Sequence, residues 1–412
     1  MYDFLKDLVV VEGATFIAGP SCSLHLQQFG AKVIRFDSIG GGPDHGRWPV
    51  DGRGHSLYWE SLNRGKLSVA LDLSRPEGRE LATAIITSPG EGRGLFVTNY
   101  PANGFLSHQR LSALRADLIT LRIQGWPDGR NGVDYSVNAA VGVPFMTGDP
   151  QANGDQPVNS ALPAWDLLAG AYGAFTLLAA ERRRRAGGPG GEYAIALSDL
   201  AIGSLANLGG IAELLAGQER QRYGNALYGA FGRDFLTRDG RRIMLVAITP
   251  RQWAGLLAGL GISAEIAALE AALSVSFAQD EGQRFIHRAA LGTVIAQGCA
   301  ARDYAELTAV LDQAGVCWEP YQTLKEAVEN DPRLVSANPI FETLRQPGGL
   351  DVPLPGAMAR VSSAARGPAQ PGTVLGRDTE EVLADHLGLS EGQIARLVDQ
   401  GLVAGLRPAA AA

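Results

Sequence analysis

Short β-branched runs alternate with helix-like stretches through the amino-terminal half of the chain, and this alternation limits the fold more than any other feature. Leu8-Val-Val-Val11 precedes an apolar, small-residue stretch that reaches residues 24–30, and residues 32–37 then read as a second strand. This is a βαβ unit with Gly30 as the helix stop. The pattern recurs with a strand at 68–73, a helix opened by Pro76-Glu77 and running to about Thr87, and a strand at 94–99. A helix over 106–115, a strand at 117–123 and a later strand at 193–197 continue it. The expected fold is α/β, a Rossmann-like parallel sheet covered by helices on both faces. Sheets of this kind bind ligands beyond the carboxyl ends of their strands. The loops leaving those ends are residues 13–20, 35–42 and 99–101. Gly40-Gly-Gly42 fits neither GxGxxG nor GxxxxGK[ST], so a nicotinamide or ATP site is not expected there, and turn chemistry is the plain alternative.

A chain of 412 residues exceeds one ordinary core. Gly187-Gly-Pro-Gly-Gly191 punctuates it, a small-residue helix follows over 199–215, and the composition turns polar and glycine-rich near Gln218. A hairpin turning at Arg238-Asp-Gly240, helical patterns over 252–313 and a strand at 316–321 describe a smaller α+β domain. The capping box Thr323-Leu-Lys-Glu326 marks its exit. The expected division is therefore 1–217 for the large domain, 218–325 for the small one, and 326–412 for a linker returning to the large domain. Terminal helices are expected at 379–387 and 390–397, with a frayed alanine-rich tail after Arg407.

A net charge of −7 argues against binding nucleic acid or an anionic membrane through overall charge, so any anionic ligand needs a local cation cluster. Cys22, Cys299 and Cys317 lack paired spacing and the six histidines lack an HExxH pattern, so neither a disulfide framework nor a metal is expected. Glu12 interrupts any leader-like run, and the apolar stretch 167–180 is shorter than the roughly 20 residues that cross a bilayer. A cytoplasmic location follows by elimination.

Residues 163–185 form the most distinctive single stretch. Pro163 suits a first helical position, and Arg182-Arg-Arg-Arg185 ends the helix where its dipole favours cations. Nearly every face between is apolar or small, which predicts a buried helix. Asp166 is the one ionisable group within that frame, one turn from the start, where free N–H groups would keep it ionised. A partly desolvated carboxylate of this kind can act as a nucleophile. An acid that merely favours the helix start is the commoner meaning of the same pattern.

Several blocks, in order along nearly the whole chain, resemble the class III CoA-transferases. They are Phe16-Ile-Ala-Gly-Pro20, Phe29-Gly-Ala-Lys-Val-Ile-Arg-Phe-Asp37, Leu62-Asn-Arg-Gly-Lys-Leu-Ser-Val-Ala-Leu-Asp72, Val97-Thr-Asn99, Asp134 and Trp165-Asp166. Arg47-Trp-Pro-Val50, Val143-Pro-Phe-Met-Thr-Gly148 and Tyr228-Gly-Ala-Phe-Gly-Arg-Asp-Phe235 resemble its mesaconyl-CoA C1–C4 transferase (2-methylfumaryl-CoA isomerase) branch. The resemblance implies an interlocked homodimer, an acyl-CoA thioester as substrate, no cofactor beyond its CoA moiety, and Asp166 as the nucleophile. It implies CoA contacts at Ile17, Ala18, Arg35, Leu71, Asp72, Asn99 and Pro101. Arg64 and Lys66 lie close enough in sequence to join Arg35 as phosphate partners, unless these cations simply face solvent. Arg47, Tyr135 and Arg233 are candidates for the distal carboxylate, and N–H groups of Tyr228-Gly-Ala-Phe-Gly232 for the oxyanion. Ile17 and Ser38 stand where formyl-CoA transferase has a polar side chain and an arginine, so its contacts do not transfer in detail.

The activity implied is intramolecular transfer of CoA between the two carboxyls of mesaconate. Racemisation of 2-methylacyl-CoA is disfavoured, because relatives that perform it place a histidine before the aspartate matching Asp134 and this chain has Val133, which exchanges no proton. Intermolecular CoA transfer between dicarboxylic acids uses the same nucleophile and stays open, as does a catalytically silent CoA-binding protein.

Overall fold

The computed structural model describes residues 1–405. The tail after Arg407 lies outside the described residues. Six strands are mutually parallel: β1 (Val9–Gly13), β2 (Lys32–Ser38), β3 (Leu67–Leu71), β4 (Leu95–Thr98), β5 (Ile119–Gln124) and β6 (Gly191–Ala196). Their order across the sheet is β3-β2-β1-β4-β5-β6, and Val403–Ala404 adds an antiparallel strand beyond β3. Successive residues of each strand point to opposite faces, and both faces are apolar. Val10, Val33, Val97 and Leu121 join one core with helices Ala18–Gln28 and Ala164–Arg185. Val11, Ile34, Phe96 and Leu71 join the other with helices Pro76–Thr87 and Thr379–Leu387.

Helix Ala164–Arg185 lies close against helix Ala18–Gln28 because Gly170 and Gly173 on its buried side carry no side chain. A Cβ on Gly170 would sit 2.0 Å from Ser21 Oγ, and one on Gly173 3.2 Å from Cys22 Sγ. Two expectations for this helix are corrected. Pro163 occupies the N-cap position, with the helix starting at Ala164. The helix is buried along one side only, since Leu167, Tyr172 and Phe175 on the other remain 42%, 48% and 66% exposed. The helix expected over 199–215 is broken at Gly209 (φ +81°) into Leu197–Asn207 and Gly210–Leu215.

Two units divide the chain. The first comprises residues 1–141, 161–212 and 335–412, and the second 142–160 and 213–334. The expected large-domain span 1–217 includes 142–160, because nothing local in that segment distinguishes it. In the structure Arg222 donates to the carbonyl oxygens of Phe145 and Pro144 at 3.0 and 3.4 Å, and Gly224 N–H to that of Gly148 at 3.1 Å. The second unit has an antiparallel sheet of β7 (Phe231–Leu236), β8 (Arg242–Ala247) and β9 (Cys317–Pro320), packed on helices through Phe231, Leu245, Trp253 and Ile295. At its far end the Thr323 capping box is formed in both directions, Glu326 N–H to Thr323 Oγ1 at 3.2 Å and Thr323 N–H to Glu326 Oε2 at 2.7 Å.

Candidate active site

Strand order reverses between β1 and β4, and the carboxyl ends of β1, β4, β5 and β6 open onto one cavity of about 940 Å³, lined wholly by residues of the first unit. This is where an open α/β sheet places its ligand. Asn99, just past β4, fixes the loop after β1: its Oδ1 accepts from Thr15 N–H at 3.0 Å and its Nδ2 donates to Thr15 O at 2.8 Å. Phe16 follows in the left-handed conformation (φ +68°), a strained geometry for an aromatic residue, with its N–H bound to Asp44 Oδ2 at 2.9 Å. The loop so held leads through Ile17 into a helix with no side-chain cap, and Ile17 and Ala18 line the cavity. Uncapped first-turn N–H groups of this kind favour negative charge.

Asp166 lines the same cavity from the first turn of helix Ala164–Arg185. Its surroundings differ from the expected ones. The N–H groups of Trp165 and Asp166 donate to Asp134 Oδ2 at 2.6 and 3.0 Å, so a neighbouring carboxylate consumes the donors of that turn. Among the described residues no group donates a hydrogen bond to the Asp166 carboxylate. Burial, and after it the negative charge of Asp134, push its pKa up from 3.8 to about 7, against a smaller opposing effect from Arg47. The helix start thus does not hold Asp166 strongly ionised. The result is a basic, poorly solvated carboxylate facing the cavity.

Arg47 and Tyr135 also line this cavity, as do Asn99 and Pro101. The Arg47 guanidinium lies 5.4 Å from the Phe16 ring centre and 5.6 Å from that of Tyr58. Tyr58 was not anticipated from the sequence, although its hydroxyl is buried without a hydrogen-bond partner among the described residues. Loop residues 125 and 129–133 were also missed. Their signal was available, since Gly125-Trp-Pro-Asp-Gly-Arg-Asn-Gly132 leaves the carboxyl end of a strand as the other ligand loops do.

The expected phosphate cations are placed elsewhere, which corrects that assignment. Arg35 is fully buried, bidentate to Asp37 (2.7 Å twice) and bound to Glu12 at 2.7 Å. Lys66 is fully buried too, with Glu12, Pro20 O and Asn63 at 2.7 to 2.9 Å, and burial lowers its pKa to about 8. Arg64 is spent on the carbonyl oxygens of Ser61 and Pro355. Arg35 and Lys66 are held by internal acceptors that leave no face for a phosphate, and none of the three lines the cavity. Leu71 is a core side chain, and the Asp72 carboxylate bonds Ser74, so neither reaches the cavity lining. Arg233 belongs to the second unit, beside Gly292 and the Phe235 ring, and Tyr228 there donates to Glu213. Among the described residues no group of three or more His, Cys, Asp or Glu side chains is placed to hold a metal ion, and no helix is long and apolar enough to cross a membrane.

The model of CoA-transferase family III matches residues 5–379. The chain belongs to CoA-transferase family III. As a family III member it is an enzyme, as the resemblance implied. It is 46% identical over 408 residues to the 2-methylfumaryl-CoA isomerase of Chloroflexus aurantiacus, covering 98% of this chain and 99% of that one. It is 27% identical over 401 residues to the succinyl-CoA–D-citramalate CoA-transferase of the same organism, covering 95% and 96%. A crystal structure of a CaiB/BaiF family protein from Brucella suis superposes with a TM-score of 0.72 at 26% identity, covering 93% of this chain and all of the other.

Proposed function

We propose that this family III enzyme interconverts the C1 and C4 CoA thioesters of mesaconate by moving CoA within one substrate molecule. The observation that carries the reading is the full-length 46% identity to a 2-methylfumaryl-CoA isomerase. The placement of Asp166 in a cavity at the strand ends supports it. The Asp166 carboxylate attacks the C1 thioester carbonyl, and the C–S bond breaks to give a mixed anhydride and CoA thiolate. The thiolate attacks the aspartyl carbonyl, forming an aspartyl-CoA thioester and releasing the C1 carboxylate. Mesaconate turns, its C4 carboxylate attacks that thioester, and the thiolate leaves. A second anhydride forms, which the thiolate opens at C4, regenerating the Asp166 carboxylate. Arg47 and Tyr135 are the groups we assign to the free carboxylate, supported by their place in the same cavity.

Purified protein given mesaconyl-C1-CoA and isotope-labelled free mesaconate is expected to form the C4 thioester without label. Label entering product at a rate comparable to isomerisation would favour intermolecular transfer, the second reading, which the likeness to a D-citramalate transferase supports. Absence of any thioester exchange would reject both.

The homodimer is part of the same proposal. Leu167, Tyr172, Phe175 and Ile202 form large apolar surface of the kind that subunit contacts cover. Light scattering is expected to give twice the 43.5 kDa chain mass, and a monomer at micromolar concentration would refute the dimer. A cytoplasmic location is proposed too, supported by three free cysteines, two of them buried.

A further inference from the structure

We propose that Asp134 is a positioning residue for Asp166: its carboxylate takes the first-turn N–H groups of the nucleophile's helix, so that the Asp166 oxygens face the cavity without backbone donors and beside a fixed negative charge. The inference rests on the reading of Asp166 as nucleophile and concerns how that nucleophile is made reactive. Asp134 is 4% exposed and opens its own short helix, Asp134–Ala140. Its Oδ2 accepts from two consecutive N–H groups, at 2.6 Å from Trp165 and 3.0 Å from Asp166. Asn138, one turn on, accepts from Trp165 Nε1 at 3.1 Å, so the same helix grips the residue before the nucleophile by backbone and side chain.

A helix start normally stabilises the anion of an acid in its first turn and thereby weakens it as a nucleophile. Here the donors are already engaged and a second carboxylate stands close by, so both effects turn against the Asp166 anion. Of the charged and titratable groups that act on Asp166, Asp134 raises its pKa and Arg47 lowers it, while Tyr58 feels its charge in return. A more basic carboxylate attacks a thioester faster, and within a displacement series reactivity follows basicity.

The test is the pH profile of kcat/KM for thioester isomerisation in wild type and Asp134→Asn. Asparagine keeps an oxygen that accepts both N–H groups and removes the charge. In wild type the acid limb is expected near pH 7, giving about a tenfold rise in rate from pH 6 to pH 8. In Asp134→Asn the limb is expected to move down by about one unit, so that the same interval gives about a twofold rise. A lower rate with the limb unmoved would show a purely structural role and overturn the proposal. If the asparagine variant does not fold, Asp134→Ser, neutral and with a shorter acceptor, is read in the same way. Asp166→Asn is run alongside. Turnover by that variant would reject the nucleophile itself, whereas an inactive Asp166→Asn with an unmoved Asp134→Asn limb rejects only the role of Asp134.

Discussion

Replacing Asp166 by asparagine is expected to abolish turnover and at the same time make the protein more stable above neutral pH. The first effect, at least about four orders of magnitude, follows from losing the oxygen that forms the acyl bond. The second follows from linkage. The Asp166 pKa is raised from 3.8 to about 7 in the folded chain, so folding favours its protonated form. The associated stability is fully present below pH 3.8, declines as pH rises, and is lost once pH passes about 7. Asparagine carries no such penalty. The stability of the variant relative to wild type should therefore climb between pH 4 and pH 8 by about 4 kcal/mol at most, taking the full shift. Thermal unfolding of both proteins across that range checks it. A difference that stays constant with pH would mean that Asp166 is ionised in the fold without strain, and the nucleophile would lose the basicity assigned to it. Enzymes commonly trade stability for a strained reactive group, and here the trade has a pH signature.

Arg35→Met is expected to be the most damaging substitution outside the cavity. Arg35 neutralises Glu12 and Asp37 at 2.7 Å and reaches Asp44 at 3.4 Å, all of them buried. Removing it leaves Lys66 alone against three carboxylates, and breaking a buried ion network from one side costs about 3–5 kcal/mol. Urea denaturation should show a loss of that size. The affinity of the folded variant for CoA should change less than about threefold, whereas a lost bidentate phosphate contact would weaken it by about tenfold or more. A large fall in CoA affinity at unchanged stability would restore Arg35 to the ligand.

The sheet and the position of its ligand face were legible in the sequence because they depend on periodicity. Val10 and Val11, or Val33 and Ile34, serve opposite faces of a sheet buried on both, and such runs read as parallel strands. Asp166 was legible as a candidate from its isolation in an apolar helix. Its electrostatic state was not, because Asp134 lies a whole segment away and only the packed structure brings it to the helix start. For the same reason Arg35 and Lys66 looked available for phosphate. A cation in a strand shows its charge in the sequence, while Glu12, which binds both Arg35 and Lys66, and Asp44, which Arg35 also reaches, come from other parts of the chain and only Asp37 shares the strand of Arg35. Segment 142–160 differs from the expected division because its membership of the second unit is decided by partners such as Arg222, far along the chain. Tyr58 gave no signal of its own, since a tyrosine in a short helix is ordinary until its hydroxyl is seen to be unpartnered.

The first unit is assembled from three separate stretches of chain, and this has a consequence for biosynthesis. A ribosome delivers β1 to β6 by residue 196, yet Val382, Leu383 and Ile394, which cover one apolar side of that sheet, and Val403, which extends its edge, emerge roughly two hundred residues later. In the interval the second unit is made whole and is free to fold first, while the nascent sheet waits with the face of Val69 and Leu71 covered only in part, by the earlier helix Pro76–Thr87. Vectorial synthesis therefore opens a window in which holdase chaperones and aggregation compete for the growing polypeptide.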